Sequence, residues 1–477
     1  MQNQTHRADP DFKYKLRGLY GAETLKYCYQ CGTCTAACPI SKMIDIYRPN
    51  RIIELAKLGV RSLPQSSAFL FCSACTLCTK HCPQGVKVHE LMQGLKELAE
   101  NDPTVWNFAA ENIDSILEEL GAEMPFPVTY SWICLNPKNA ASPLQDSIAK
   151  AFDRALNTPK AKQTPPADAK RVAVIGSGPA GLTAAWELAR RGLAVTVFES
   201  GQALGGMLST GIPSHRLPQN VVDAEIDAIR ALGVRMETNT AVGPELFEKL
   251  LTEYAAVFIA TGASASRALR MEGEDLQGVV PALQFLKEYN AAPSDLTGVR
   301  VVVVGGGNVA TDAADAAKRS GASTVHLFCL ESRETMPAHE WEIDEIIRDG
   351  VEVNAAWGPK TILGDGQRVT GMEFVLCKSV TDASGRFNPV FDERKTKSLD
   401  ADMVITAIGQ GPDLRFLSGD IERFRGAVQV DPYTMETNIP GVYAGGDATS
   451  GTASLVEALA AGKLAAASIA RYLEEQP

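Results

Sequence analysis

Two short cysteine runs constrain this chain more than any other feature. The first is CYQCGTCTAACP, with Cys28, Cys31, Cys34 and Cys38 followed by Pro39; the second is CSACTLCTKHCP, with Cys72, Cys75, Cys78 and Cys82 followed by Pro83. Each reads C-x2-C-x2-C-x3-C-P, the spacing that holds a cubane iron–sulfur cluster. The first three thiolates of a run take three irons of one cube, and the fourth reaches the other cube. The expected ligand sets are Cys28, Cys31, Cys34 and Cys82 for one 4Fe–4S cluster, and Cys72, Cys75, Cys78 and Cys38 for the second. Structural zinc is the competing reading, but zinc sites use two separated pairs rather than a triplet plus a fourth cysteine before proline. His81 and His89 lie close by; eight cysteines already fill both clusters, so the histidines read as solvent-facing or packing residues. Cys134, Cys329 and Cys377 stand singly and read as buried free thiols. Cysteines clustered for metal rather than paired in disulfides point to a cytoplasmic location.

Away from these runs the composition is that of an ordinary globular protein. The chain has 477 residues, 45% apolar and 22% charged, which excludes disorder and fibrous architectures. No apolar run approaches the roughly 18–20 residues of a membrane span, and MQNQTHRADPDFKYKL lacks the apolar core of a secretory signal. A formal net charge of -11 disfavours nucleic acid or an anionic membrane as the main partner. The same balance favours a basic surface on a protein partner.

Residues 1–135 carry helical patterns and no strand alternation. Asn50 is expected to cap a short helix, RIIELAKLG, that Gly59 ends. Val88, Leu91, Met92, Leu95 and Leu98 recur at helical spacing, as do Ile113, Ile116, Leu117 and Leu120. Residues 136–170 are polar, and PKAKQTPPADAKR reads as a linker. The rhythm then changes to strand, glycine turn, helix, strand. This unit occurs twice, in RVAVIGSGPAGLTAAWELARRGLAVTVFES and in VRVVVVGGGNVATDAADAAKRSGASTVHLFCL. Such units build doubly wound sheets. In the first, Gly176, Gly178 and Gly181 would let a pyrophosphate approach the helix amino terminus. Glu199, 18 residues beyond Gly181, would accept hydrogen bonds from ribose hydroxyls. Thr452 to Leu473 reads as an alanine-rich helix. Asp312 and Asp315 suggest acid catalysis at first sight. Hydride transfer between stacked rings needs positioning rather than proton transfer, so helix-surface or packing roles fit better and no catalytic residue is identified.

Residues 20–100, with NRIIELAKLG between the runs and CPQGV after the second, resemble the helical dicluster ferredoxin domain of heterodisulfide reductase. Residues 170–473 resemble the glutamate synthase small subunit and the amino-terminal half of dihydropyrimidine dehydrogenase. That second resemblance rests on Gly205-Gly206-Met207, GIPSHRLP, ATG at 260–262, AIG at 407–409 and VYAGGDATSGTASLVEALAAGK. Together they imply a multidomain chain: an all-α helical ferredoxin domain, then an α/β flavoprotein with two Rossmann-like units, the nicotinamide domain being inserted in the FAD domain. The expected boundaries are 1–135 for the cluster domain, 136–170 for the connecting segment and linker, 171–290 and 410–477 for the FAD domain, and 291–409 for the nicotinamide domain. The resemblance implies FAD contacts at Gly176, Gly178, Pro179, Ala180, Gly181, Glu199, Gly206, Met207, Arg216, Val242, Gly262, Gly446, Asp447, Ala453, Ser454 and Leu455. It implies nicotinamide contacts at Gly305, Gly306, Gly307, Asn308, Val309, Ala310, Glu331, Arg333, Ala407, Ile408 and Gly409. No C-x-x-C occurs after residue 82, so the flavin has no adjacent redox disulfide.

The implied activity is electron transfer between NADH and, through FAD and two 4Fe–4S clusters, a partner redox subunit of the formate dehydrogenase or heterodisulfide reductase kind. A hetero-oligomer follows, because no terminal substrate module is visible. Three other readings stand beside it: an NADPH-linked glutamate synthase small subunit, an electron-bifurcating flavin subunit, and a relay with a vestigial nicotinamide pocket. In the resembling families, paired basic residues after the second strand of the nicotinamide domain clamp the 2′-phosphate of NADPH. Here the paired positions are Leu330 and Glu331, so NADH is expected.

Overall fold

The computed structural model describes residues 11, 14, 16, 22–43, 47–60, 68–73, 75–100, 103–135, 142–158, 162–417 and 419–476. The cysteine-rich part is built of α1 (Thr33–Ala36), α2 (Pro39–Met43), α3 (Pro49–Leu58), α4 (Leu77–Lys80), α5 (Val88–Glu100), α6 (Pro103–Glu123) and α7 (Pro127–Leu135), with no strand among its described residues. The two runs repeat one local conformation. Gly32 and Thr76, each directly after the second cysteine of its run, are left-handed with φ of 79° and 62°, and each starts a one-turn helix. Glycine adopts this freely, whereas Thr76 holds it at a steric cost.

α3 begins two residues earlier than its sequence suggests, because Pro49 occupies the first turn and Arg48 the cap position. Proline is preorganised there, and its missing N–H is no loss. Asn50 is therefore not the cap: its Oδ1 accepts from Thr35 Oγ1 at 2.6 Å and its N–H donates to the same oxygen at 3.1 Å, tying α3 to the first cysteine run. Gly59 ends the helix in the left-handed conformation, as expected. Val88, Leu91, Met92 and Leu95 are buried, as are Ile113, Leu117 and Leu120; the side chain of Leu98 lies outside the described residues.

The polar stretch 136–170 contains a helix, α8 (Ser142–Asn157), which buries Ile148, Ala151 and Phe152 against α6 and α7. An i, i+3, i+4 stripe suffices for that even in a polar sequence.

Beyond it stand two five-stranded parallel sheets. The first contains β1 (Arg171–Ile175), β2 (Ala194–Phe198), β3 (Arg235–Glu237) and β4 (Ala256–Ile259), with helices α9 (Pro179–Arg190), α10 (Gln219–Ala231) and α11 (Pro244–Glu253). The second contains β5 (Val279–Pro281), β6 (Arg300–Val304), β7 (Thr324–Phe328) and β8 (Glu352–Asn354), with α12 (Ala282–Ala291), α13 (Asn308–Arg319) and α14 (Glu340–Arg348). An antiparallel meander, β9 (Trp357–Gly364), β10 (Val369–Thr381) and β11 (Phe387–Asp400), then leads to β12 (Met403–Thr406), which inserts between β5 and β6. The chain returns to the first sheet as β13 (Val442–Ala444) beside β4, and ends in α15 (Leu455–Glu475). One unit thus interrupts the other. The second sheet starts at β5, ahead of the expected boundary at residue 291, because β5 and α12 precede the glycine turn that marks this unit in the sequence.

α9 and α15 cross at very short range: a Cβ on Gly462 would stand 2.3 Å from the carbonyl oxygen of Ala180. Gly462→Ala is expected to cost about 1–3 kcal/mol by overpacking, read as a lower Tm of the purified protein. Among the described residues no helix is long and apolar enough to cross a membrane.

Candidate functional site

Cys28, Cys31, Cys34 and Cys82 line a single cavity, walled also by Ile53, Pro83, Val86 and Val88. Cys31 is exposed, Cys28 and Cys82 are half-buried and Cys34 is buried. Polar groups already face these sulfurs: Gln30 Nε2 donates to Cys28 Sγ at 3.5 Å, Val86 N to Cys82 Sγ at 3.3 Å, and Thr33 Oγ1 lies 3.2 Å from Cys31 Sγ. Bonds from Thr33 hold the Cys31 thiol below its ordinary range, whereas burial pushes Cys34 up to about 11.

The other four cysteines form a more enclosed group. Cys38, Cys72 and Cys78 are buried and Cys75 is half-buried. Burial pushes Cys75 up to about 11 and Cys78 further, and mutual repulsion with Cys72 and Cys38 adds to both. The fully buried Tyr47 and Tyr130 stand beside them, and the Tyr130 hydroxyl donates to the Phe71 carbonyl. Lys96 Nζ donates to the Cys72 carbonyl at 2.7 Å. Both groups offer four sulfurs, which is the donor chemistry of a thiolate-held iron–sulfur cluster. His81 is exposed, with Nδ1 2.9 Å from the Leu77 carbonyl oxygen, and His89 is half-buried beside Glu90. Cys329 and Cys377 are buried, while Cys134 is half-buried.

The two glycine turns are built alike. A Cβ on Gly176 would meet the Ala260 carbonyl oxygen at 2.4 Å, and one on Gly305 the Ala407 carbonyl oxygen at 2.2 Å. The ATG and AIG segments therefore press against the glycine turns as equivalent parts of the two units. Gly178 and Gly307 face open space and precede α9 and α13, whose first turns have no side-chain cap. Uncapped N–H groups beside a cleft suit a pyrophosphate. Glu199 accepts from Ser177 N and Oγ at 3.0 and 2.6 Å and from Gly201 N at 2.7 Å, which fixes the carboxylate at the end of β2. Thr261 Oγ1 is buried without a hydrogen-bond partner. An orphaned hydroxyl against the glycine turn fits a cleft made for a polar ligand. Met207 and Val242 are half-buried. Asp447 follows Gly446; burial pushes its carboxyl up to about 6, and it accepts from Ala453 N at 3.1 Å. Ser454 and Glu457 form a reciprocal capping box at the start of α15. These residues fit an FAD.

In the second unit Asn308 Oδ1 accepts from His339 N at 3.3 Å, and Ala310 is buried in α13. Glu331 Oε2 sits 2.9 Å from the point a Gly306 Cβ would occupy, so this carboxylate lies over the turn. Arg333 is drawn aside by Asp344, at 2.8 Å. These groups fit a dinucleotide whose adenosine end meets a carboxylate.

Arg216, expected as an FAD contact, reaches the second unit. Its guanidinium pairs with Asp312 on α13 and with Glu342 on α14, the latter at 2.9 Å. Next to it His215 Nε2 lies 2.7 Å from Asp315 Oδ2, and its Nδ1 3.0 Å from the Tyr289 hydroxyl. The GIPSHRLP segment thus joins the first unit to the second, and Asp312 and Asp315 serve as its anchors rather than as exposed acids. Burial pushes Asp312 up to about 6 against the pull of Arg216. Sequence reading missed Tyr289 and Glu342 because partners 74 to 126 residues apart share no local pattern.

Comparison with known proteins agrees with this architecture. Residues 24–86 match a 4Fe-4S dicluster domain and residues 170–462 the pyridine nucleotide-disulphide oxidoreductase family. The chain is 46% identical over 313 residues to a protein named NADP(+)-dependent formate dehydrogenase subunit beta from Moorella thermoacetica, covering 64% of this chain and 44% of that one. It is 32% identical over 442 residues to the NADPH-Fe(3+) oxidoreductase subunit beta of Geobacter sulfurreducens, covering 83% of this chain and 64% of that one. It therefore spans less than two thirds of the length of either. The glutamate synthase [NADPH] small chain of Mycobacterium tuberculosis is 32% identical over 402 residues, covering 75% and 80%. Among solved structures, FprA of Mycobacterium tuberculosis shares the fold at a TM-score of 0.55 and 19% identity, over 64% of this chain and 85% of that one. The chain belongs to the pyridine nucleotide-disulphide oxidoreductase family, as a glutamate synthase small chain-like FAD/NAD(P) flavoprotein with an amino-terminal 4Fe–4S domain.

Proposed function

We propose that this electron-transfer subunit is NADH-linked, lies in the cytoplasm and passes electrons through two 4Fe–4S clusters to a separate redox subunit. When bound, FAD exchanges an electron pair with the nicotinamide and single electrons with the clusters. The residues of the chain position these groups. The uncapped starts of α9 and α13 would hold the two pyrophosphates, Glu199 and Glu331 would accept from the riboses, and Asp447 would bind the ribityl chain. The Pro213–Pro218 segment fixes the spacing of the two dinucleotide units through Arg216 and His215.

One observation carries the reading: the enclosed cysteine group is joined to the flavoprotein. α2 starts directly after Cys38 and packs on α15, which begins at the FAD cleft. Glu225 of α10 accepts from Val128 N and Thr129 N of α7 at 2.6 and 3.0 Å, clamping the cysteine-rich part to the first sheet. The enclosed group is thus the inner relay and the group around Cys31 the outer one. The name of the Moorella thermoacetica relative supports a partner that oxidises formate, although that name and the Geobacter sulfurreducens one carry NADP(H). The test is purification of the tagged chain under anaerobic conditions. NADH-driven reduction of benzyl viologen is expected, together with recovery of a second redox protein bound to the tagged chain. Protein that carries FAD but reduces no viologen from either nicotinamide contradicts the reading.

A further inference from the structure

The formal charge of -11 conceals a local reversal. Between Cys28 and Cys82 there are six Lys and Arg against two Asp and Glu. Several of the basic groups flank the outer cysteine cavity. Arg51 lines an open depression that shares Gly32 and Asn50 with that cavity. The helix that carries Arg51 and Leu58 packs on the Ala22–Tyr27 turn; its Lys57 donates to the Cys28 carbonyl at 2.7 Å, and the exposed Lys26 lies over the Tyr27 ring at 4.9 Å. Large apolar side chains stand out beside them: Tyr27 is 53% exposed, Tyr29 60% and Leu58 58%. Solvent-facing tyrosines next to cationic side chains, around the one exposed cysteine of either set, are the composition of a protein contact rather than of a solvated face.

We propose that the face formed by Lys26, Tyr27, Tyr29, Arg51 and Leu58 is the docking surface for a redox partner whose contact surface is acidic. This rests on the outer cysteine group being the exit of the relay. It reverses the expectation drawn from net charge. Electrostatic steering follows the potential at the point of encounter, not the total charge. The groups facing the patch include Glu54, which shares the depression with Arg51, and Glu23, which is paired with Lys87 at 3.3 Å.

A single probe protein in two charge states tests this without the natural partner. Native cytochrome c is basic, and its succinylated form keeps the fold and haem but is acidic. Binding of the oxidised, cofactor-loaded chain to each form is measured by surface plasmon resonance, and NADH-driven reduction of each is followed anaerobically. At low ionic strength the succinylated form is expected to bind and be reduced about tenfold better, and salt should erase the difference. Lys26→Glu with Arg51→Glu is expected to reverse the preference while menadione, a small neutral acceptor, is reduced at the wild-type rate. Equal treatment of both forms, preference for native cytochrome c, or a double variant with unchanged preference overturns the docking face. Loss of menadione reduction in the wild type would instead strike the function proposed above.

Discussion

Cys75→Ser is expected to lower NADH-driven reduction of benzyl viologen more than about a hundredfold, some 2.7 kcal/mol on the barrier. Bleaching of the FAD by NADH should continue near the wild-type rate. Cys75 belongs to the enclosed group, whose Cys38 leads straight into the helix packed on α15. Losing a thiolate there would interrupt the inner step, whereas the glycine turns and the ATG and AIG contacts remain intact. Cys75 is the one half-buried member of that group, so the hydroxyl is better tolerated there than at Cys72 or Cys78. Stopped-flow absorbance at the flavin band and steady-state viologen reduction separate the two steps. Equal loss of both would mean that the cysteine domain holds the flavoprotein together instead of draining it.

The second large effect concerns the choice of nicotinamide. Wild-type protein is expected to prefer NADH, and Leu330→Arg with Glu331→Arg to shift the preference toward NADPH. Glu331 lies over the second glycine turn, where it can accept from a ribose 2′-hydroxyl and repel a 2′-phosphate. Leu330 packs toward Gly358, with its Cδ2 2.9 Å from where a Cβ would be, and offers no donor. Arg333 is held by Asp344 on α14. A charge-assisted bond to phosphate contributes about 1.5–3 kcal/mol, roughly 10- to 150-fold in kcat/KM. The relatives with NADP(H) in their names make this a sharp comparison. A wild type that prefers NADPH, or a double variant with the original preference, contradicts the assignment of these two residues.

Short-range patterns made most of this architecture legible. Cysteine spacing and the two glycine turns are local, and each imposes one backbone path that the structure repeats, at Gly32 and Thr76 and again at Gly176 and Gly305. The α5 and α6 stripes were readable for the same reason, and so was α15, although it starts at Leu455 rather than at the expected Thr452. What escaped was set by packing or by distance along the chain. α8 is polar on most of its surface and shows itself only through Ile148, Ala151 and Phe152. β5 lies before the glycine turn that identifies its sheet, and the meander from Trp357 to Asp400 has no motif. The ion pairs of Arg216 escaped because Asp312 and Glu342 lie 96 and 126 residues away. The basic rim of the outer cysteine cavity was hidden by the total charge.

On the proposed function, one polypeptide couples a nicotinamide-reducible flavin to iron–sulfur clusters held by the two cysteine runs. An anaerobic titration of the purified chain with NADH, followed by absorbance and by low-temperature EPR together with iron analysis, tests it most directly. About eight iron atoms per chain are expected, with bleaching of the FAD and an iron–sulfur signal that grows as electrons leave the flavin. Zinc in place of iron, or a fully reduced flavin beside clusters that never receive an electron, would contradict it.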